Sequence, residues 1–248
     1  MRIARRIAQS GICSRREAEL WIARGHVSVD GIVLTTPALN VTPEQAILVK
    51  GKPLPDLPEE AAIWLFHKPP GCITTRKDPE KRATVYDRLP KELARALTVG
   101  RLDYNTEGLL LLTNNGDLAH HMAHPSTGWE RTYRVRVFGA VDVAKLTALR
   151  QGLTVQGRKG EKVTYGAVLA ELEKTAGGRN SWLKITLREG KNREVRNICE
   201  YLGLTVNKLI RVQYGPFKLG GLPLGAVQEA PQHLVRKLLE KAAKGKAV

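Results

Sequence analysis

The chain has 248 residues, of which 42% are hydrophobic and 26% are charged, proportions that suit one large globular domain or a large domain with a small companion. No apolar run approaches the roughly 20 residues that cross a bilayer, so we expect no membrane association. Forty lysines and arginines against 24 acidic residues give a net charge of +16, which favours a polyanionic partner such as nucleic acid.

The three cysteines, Cys13, Cys72 and Cys199, lie far apart and form no CxxC pair. This usage is typical of a reducing compartment and predicts a cytoplasmic protein. Residues 1–10 are rich in arginine and free of acids, as in an organelle transit peptide. They run without a break into a folded-looking unit, however, and we interpret them as part of it.

Residues 1–50 are predicted to form a small unit of two helices and a hairpin. The first helix is expected over Arg2 to Gln9, and the Ser14–Glu17 capping box begins the second helix. Alternating apolar residues on both sides of Asp30-Gly31 predict a tight hairpin. The predicted RNA-binding residues of this unit are its arginines: Arg2, Arg5, Arg6, Arg15 and Arg16.

The order of these elements resembles the S-four-like RNA-binding module of ribosome-related proteins, through Ser14-Arg15-Arg16-Glu17-Ala18 and the segment 25–31. The resemblance implies that the arginines bind structured RNA through its phosphates and its shape. Two alternatives remain open from the residues alone. One is a merely solvated basic face, and the other is a helix-turn-helix DNA regulator built on residues 2–24.

A proline-rich linker is predicted over 51–60, followed by a larger domain over 61–231 and a basic, fraying helical tail over 232–248. Long strand patterns in the larger domain alternate irregularly with short helical patterns, which indicates an α+β fold around a mixed, mostly antiparallel sheet. The expected strands are Ile63–Phe66, Thr132–Phe138, Val163–Leu172, Trp182–Leu187 and Leu204–Val212, with hairpin loops over 157–162 and 175–180. The expected helices are Asp117–Ala123, Asp142–Leu149 and Asn192–Leu202.

Several familiar sites are absent from the sequence. There is no GxxxxGK[ST] phosphate loop and no GxGxxG dinucleotide fingerprint. His120 and His124 share a helix face beside His121, but no Glu stands at the general-base position of HExxH and no further ligand is evident. We therefore expect no metal, and interpret the histidines as solvated or facing RNA.

A polar loop over 99–108 precedes the apolar strand 109–112 and contains Arg101 and Asp103. Loops held on rigid elements often carry catalytic groups, although this segment alone fits a loop-stabilising pair equally well. Tyr133 lies in a strictly alternating strand and faces the core side. Arg193 and Arg196 share one face of a predicted helix, which alone is typical of a solvated basic surface.

Taken together and in order, these segments resemble the pseudouridine synthases of the RsuA/RluB branch. The resemblance includes His67–Gly71, Gly100–Asp103, Tyr133, Gly190–Arg196 and Leu209–Arg211. The stretches Tyr133–Gly139 and Leu187–Arg196 look most like the RluB type, which modifies large-subunit ribosomal RNA.

The resemblance implies an RNA uridine isomerase that needs no cofactor. Asp103 takes the position of the catalytic aspartate, Arg196 that of its ion-pair partner, and Tyr133 that of the tyrosine stacked on the flipped base. Arg101 is expected to hold the opened base stack, and Lys191 and Arg193 to bind RNA.

The expected partner is ribosomal RNA or a ribosome assembly intermediate, and the expected state is a monomer. The alternative is a non-catalytic RNA-binding or ribosome-assembly protein with the same fold.

Overall fold

The computed structural model describes residues 1–56, 60–76, 78–156, 160–175 and 179–244. The N-terminal module contains two helices and a four-stranded sheet of order β2-β1-β3-β4. Its elements are α1 (Ile3–Gln9), α2 (Arg15–Ala23), β1 (Val27–Val29), β2 (Ile32–Leu34), β3 (Ile47–Val49) and β4 (Lys52–Pro53).

Local sequence signals explain most of this module. The Ser14 side chain accepts from the Glu17 N–H and the Glu17 carboxylate accepts from the Ser14 N–H, which confirms the predicted capping box. Asp30 and Gly31 both have positive φ and turn β1 into β2, as the hairpin pattern predicts. A separate small core, which includes Ile7, stabilises the module.

The boundary of the module lies later than the sequence indicates. β4 pairs with β3, and Leu54 packs against the core of the module, so the module continues past residue 50. The prediction that the linker begins at residue 51 is therefore wrong, because residues 52–54 belong to the module. Its residues 57–59 lie outside the described part of the chain.

The larger domain is built on a nine-stranded sheet whose main path is β11-β12-β8-β13-β7-β5-β15. β13 and β7 are parallel, and the other recorded pairs are antiparallel, which confirms the predicted mixed α+β fold. The strands of this sheet are β5 (Ile63–Lys68), β6 (Leu97–Thr98), β7 (Glu107–Thr113), β8 (Arg131–Phe138), β11 (Leu169–Thr175), β12 (Asn180–Leu187), β13 (Thr205–Tyr214), β14 (Phe217–Lys218) and β15 (Val227–Glu229). A separate hairpin consists of β9 (Leu153–Gln156) and β10 (Lys162–Tyr165).

The helices of this domain cover the sheet unevenly. They are α3 (Gly116–Ala123), α4 (Val143–Ala148), α5 (Glu194–Tyr201) and α6 (Gln232–Lys244). One core lies on one face of the sheet, which we call the inner face, and joins α4 and α5 to β8 and β12. A second core lies on the other face, the outer face, and joins α3 and α6 to β5 and β7. On the outer face, β8 and β12 have no covering helix in the described part of the chain.

Two sequence predictions in this domain are wrong. The expected strand over 163–172 is two strands, because β10 ends at Tyr165 and β11 begins at Leu169 in another sheet. The C-terminal segment is a helix as predicted, but the expected fraying is wrong for its described part, because Leu238 of α6 is buried against the second core. The two predicted hairpin loops lie partly outside the described residues, at 157–159 and 176–178.

The two domains touch through α1 and the turn that follows it. Arg5 forms an ion pair with Asp117 in the first turn of α3, and Gly11 lies close to the side chain of Arg95. Among the described residues, no helix has both the length and the apolar character required to cross a membrane.

Candidate active site

The loop that carries Asp103 is held by a buried lysine at the end of β5. Lys68 Nζ donates to the main-chain oxygens of Asp103 (3.1 Å), Tyr104 (3.3 Å), Thr106 (3.0 Å) and Pro69 (3.0 Å). The side chain is fully buried, and this burial lowers its pKa. One cation therefore organises three carbonyl groups of the loop and leaves the Asp103 carboxylate free for another role.

Two further contacts fix the ends of this loop. Before Asp103, the Thr74 hydroxyl donates to the main-chain oxygen of Leu102 at 2.8 Å and accepts from its N–H at 3.2 Å. After Asp103, Gly108 has φ +106° and lies against the main chain of Arg211, where an added Cβ would stand 2.3 Å from the carbonyl oxygen. A side chain at position 108 would push β7 away from β13 and move the loop with it.

Tyr133 lies on the inner face of β8, as the alternating pattern predicts. It is 9% exposed and packs in the same core as Val135 and Val137. Its neighbours across the sheet are Ile185 on β12 and Arg211 on β13. The aromatic ring is therefore held by the rigid centre of the sheet.

A cavity of about 400 Å³ opens between the Asp103 loop, β8 and the start of α5. This volume lies within the range of about 300–1,000 Å³ that is usual for small-molecule sites. The cavity is lined by all three predicted catalytic residues, Asp103, Tyr133 and Arg196, and by three of the predicted RNA-binding residues, Arg101, Lys191 and Arg193. Asp103, Tyr133 and Arg196 are separated by 30 to 93 residues in sequence and are thus brought into one site.

Arg196 is poised beside Asp103 without forming the expected direct ion pair. The Arg196 Nη2 donates to the main-chain oxygen of Asn105 at 3.4 Å. Both Arg196 and Asp103 are described by the structure, and no side-chain nitrogen of Arg196 lies within 4.0 Å of the Asp103 carboxylate. Burial lowers the Arg196 pKa and the charge of Arg193 lowers it further, while the charge of Asp103 opposes both effects. The interaction between Asp103 and Arg196 is therefore longer in range than the sequence predicts.

Glu194 is an ionisable group of the cavity that the sequence analysis did not single out. It is 4% exposed, and its Oε2 accepts from the Lys191 N–H at 2.9 Å while Oε1 has no hydrogen-bond partner. Burial raises its pKa to about 7. No sequence pattern indicates this burial, because Glu194 stands in a run of charged residues at the start of a helix.

Two buried arginines also line the cavity. Arg131 donates to the main-chain oxygens of Trp129 and Arg188 and to the Tyr214 hydroxyl, at 2.7 to 3.0 Å. Arg211 donates from Nε to the Leu109 oxygen at 2.7 Å, and its buried Nη2 has no partner. The alternation of residues along β13 could have predicted that Arg211 lies on the inner face. It does not show which atoms accept hydrogen bonds from its guanidinium.

The arginines of the N-terminal module lie away from the cavity lining. Several already have partners within the protein: Arg2 donates to the Ala38 oxygen, Arg6 to the Pro55 oxygen at 3.4 Å, and Arg15 pairs with Glu19 at 3.4 Å. Lys191, at the cavity, pairs with Glu189. Their binding to RNA stays a prediction.

Two histidines lie next to each other at the end of α3. His120 and His124 meet edge to face, with ring centroids 5.6 Å apart. No group of three or more His, Cys, Asp or Glu side chains placed to hold a metal occurs among the described residues.

Comparison with known proteins agrees with this fold. Residues 62–201 match the RNA pseudouridylate synthase family, and residues 1–47 match the S4 domain. A solved pseudouridylate synthase superposes with a TM-score of 0.64 and 26% sequence identity, over 96% of this chain and 99% of the other. The chain belongs to the RNA pseudouridylate synthase family, and it is an isomerase with an N-terminal S4 domain.

Two relatives illustrate the extent of the similarity. An uncharacterized RNA pseudouridine synthase of Rickettsia typhi is 42% identical over 238 residues, which cover 96% of this chain and 95% of the relative. The ribosomal large subunit pseudouridine synthase B of Shigella flexneri is 44% identical over 246 residues, which cover 94% of this chain and 82% of the relative.

Proposed function

We propose that this protein converts a specific uridine of large-subunit ribosomal RNA to pseudouridine, with Asp103 as the catalytic carboxylate. The observation that carries the proposal is the meeting of Asp103, Tyr133 and Arg196 in one cavity of about 400 Å³. The choice of ribosomal RNA is supported by the names of relatives from Shigella flexneri and Haemophilus influenzae, both called ribosomal large subunit pseudouridine synthase B.

The reaction is an isomerisation and consumes no other reactant. The bond from uracil N1 to ribose C1′ breaks, the base turns, and a bond forms from C5 to C1′. N1 gains a proton and C5 loses one, so atoms and charge balance. The uridine must first leave its base stack, because a duplex hides the sugar and base from a carboxylate; this costs a few kcal/mol.

Asp103 reacts with the ribose, either by adding to the sugar or by removing a proton from it, and both roles require the ionised carboxylate. The Arg196 guanidinium stabilises that charge from within the same cavity. Arg196 donates from Nη2 to the Asn105 carbonyl, and its buried Nε has no partner, so a donor remains for the Asp103 carboxylate. A charge pair inside a water-poor site is stronger than the same pair in solvent.

Tyr133 supplies a ring surface for the extruded uracil and a hydroxyl near the base. Its burial in the sheet keeps the ring fixed, which favours stacking at low conformational cost. Arg101, which is exposed at the rim of the cavity, fills the space that the extruded base leaves. The N-terminal module and Lys191 and Arg193 bind neighbouring phosphates.

We propose that the substrate is ribosomal RNA, free or within an assembly intermediate, and that the protein acts in the cytoplasm. We propose that it acts as a monomer.

Release of tritium from ribosomal RNA labelled at uridine C5 tests the reaction, since only C5–C1′ bond formation displaces that atom. We expect Asp103→Asn to reduce release by at least a thousandfold, the scale on which loss of an essential catalytic group acts. Affinity for RNA should stay within a few fold.

Asp142→Asn is the matched control. Asp142 caps α4 through its side chain, and Asn caps a helix equally well, so full activity is expected. An active Asp103→Asn variant would remove Asp103 from the mechanism. No release by the unmodified protein on any ribosomal RNA would favour the non-catalytic RNA-binding alternative, and carbodiimide mapping of ribosomal RNA with and without the protein would identify the modified uridine.

A further inference from the structure

The face of the sheet that points away from the cavity is open over β8 and β12. Side chains alternate along β8, so Tyr133 and Val135 face the cavity side while Arg134, Arg136 and Phe138 face the other way. Helices α4 and α5 pack only on the cavity side of these strands. Three neighbouring strands, β11, β12 and β8, together with the start of β13, therefore present an uncovered outer face.

Two aromatic side chains stand close together on this face. Trp182 of β12 lies directly opposite Arg136, and Phe138 lies opposite Asn180, which makes Trp182 and Phe138 diagonal neighbours about 7–8 Å apart. Phe138 is 44% exposed and Trp182 is half-buried. We call these two residues together with Arg136 the outer platform.

Cations surround the outer platform. The Arg134 guanidinium lies 4.9 Å from the centroid of Trp182, and that of Arg179 lies 5.8 Å from the centroid of Phe138. Guanidinium groups beside aromatic rings are a recurring feature of surfaces on which bases stack.

The charges on this face are not balanced. Carboxylates pair with some of the cations: Arg134 with Glu173 at 2.7 Å, Lys184 with Glu171 at 3.9 Å, and Lys208 with Glu107 at 3.2 Å. Arg136, Lys174 and Arg179 have no carboxylate within 4.0 Å among the residues that the structure describes. The face thus keeps an excess of positive charge beside exposed aromatic rings.

We propose that the outer platform is a second RNA-binding site, which takes a single-stranded segment outside the catalytic cavity. Bases of any kind stack on Phe138 and Trp182, because each base has a π-face, and Arg136 and the nearby cations bind the phosphates. Single-stranded RNA can place its bases on an open sheet face, whereas the bases of a duplex are stacked in its interior and cannot reach that face. The site is distinct from the cavity, since Tyr133 and Arg136 point to opposite faces of one strand.

The test uses the full chain and a fluorescein-labelled decaadenylate, which lacks uridine and so offers no target base to the cavity. Binding is followed by fluorescence anisotropy at low salt and repeated over a range of salt concentrations. We expect Arg136→Glu to weaken binding about tenfold and to lower the salt dependence, because a phosphate contact is replaced by repulsion. Phe138→Ala should weaken binding at least fivefold by removing a stacking surface.

Lys145→Glu is the matched control, since it changes the net charge by the same amount on exposed α4, on the cavity side of the sheet. It should leave affinity for decaadenylate within twofold. Thermal unfolding of each variant checks that these exposed substitutions preserve the fold. Ultraviolet cross-linking followed by peptide mapping should recover decaadenylate attached to the peptides that contain Phe138 and Trp182.

The proposal is overturned if Arg136→Glu and Phe138→Ala bind decaadenylate as the unmodified chain does, as expected if the face binds a protein partner. It is equally overturned if Lys145→Glu weakens binding as much as Arg136→Glu, which would indicate general charge attraction. Because the assay measures binding alone, its outcome does not depend on whether the cavity isomerises uridine.

Discussion

The buried cations of the larger domain and the arginines of the N-terminal module have different partners. Lys68 and Arg131 are held chiefly by main-chain oxygens: Lys68 by four carbonyl groups, and Arg131 by two carbonyl groups and the Tyr214 hydroxyl. The arginines of the N-terminal module instead include pairs with carboxylates, as half-buried Arg5 with Asp117 and exposed Arg15 with Glu19.

This difference shows that lysines and arginines of one chain can have different structural roles, which the residue type alone does not indicate. A cation that gathers several carbonyl groups determines where loops and strand ends lie, because each of those oxygens would otherwise be buried without a donor. An exposed ion pair contributes at most about 1 kcal/mol and can exchange its partner for a phosphate. Cations bound to carbonyl groups position the loops of the site, whereas cations in exposed ion pairs can bind an external phosphate.

The largest effect in this comparison is expected for Lys68→Met, which keeps the length of the side chain and removes the charge. Four carbonyl oxygens would lose their shared donor, so the free energy of unfolding should fall by about 3–5 kcal/mol. Urea unfolding measures this loss, and tritium release should fall in the folded fraction because the Asp103 loop is released. Lys91→Met, at an exposed position, should change stability by less than about 0.5 kcal/mol; an equal loss in both variants would contradict the special role of Lys68.

Glu194→Gln should produce a smaller, pH-dependent effect. In the folded state the pKa of the Glu194 carboxyl is about 7, whereas the ordinary pKa of a glutamate is 4.5. The folded state thus binds more protons over that interval, and the free energy of unfolding should fall as pH rises from about 4.5 to 7, by up to about 3 kcal/mol from this residue.

Urea unfolding at a series of pH values measures this dependence. Glutamine does not titrate, so the variant should lose much of the decline, while Glu200→Gln on the exposed side of α5 should keep it. Identical pH profiles for the unmodified chain and Glu194→Gln would show that Glu194 is ionised in the folded protein at pH 5–7.

The smallest effects are expected in the N-terminal module, and they should differ between two neighbouring helices. Arg16 is exposed at the start of α2, so Arg16→Ala should weaken binding to a ribosomal RNA fragment a few fold and reduce the salt slope by about 1. Arg5 is engaged with Asp117 of the larger domain, so Arg5→Ala should change the salt slope less. Filter binding at several salt concentrations compares the two variants, and a larger change in slope for Arg5→Ala would show that its ion pair opens on RNA.

Local patterns predicted much of the fold. The capping box at Ser14, the Asp30-Gly31 hairpin and the inward-facing Tyr133 all depend on spacing within a few residues, where backbone geometry is decisive. The family resemblance implied that Asp103 and Arg196 share one site, and both line the same cavity. The end of the N-terminal module and the packing of α6 were predicted wrongly, because both depend on contacts with distant strands and cores.

The sequence by itself determined the identity of the chemical groups, their local elements and the family to which the chain belongs. Only the tertiary structure decided which charges are buried, since burial results from contacts between segments that no local pattern contains. It showed that Lys68 binds carbonyl groups of the Asp103 loop, that Arg196 stands beyond 4.0 Å from the Asp103 carboxylate, and that the far side of β8 is an open basic face. The physical reason is that solvation and electrostatic strength depend on every surrounding atom, and those atoms come together only in the folded chain.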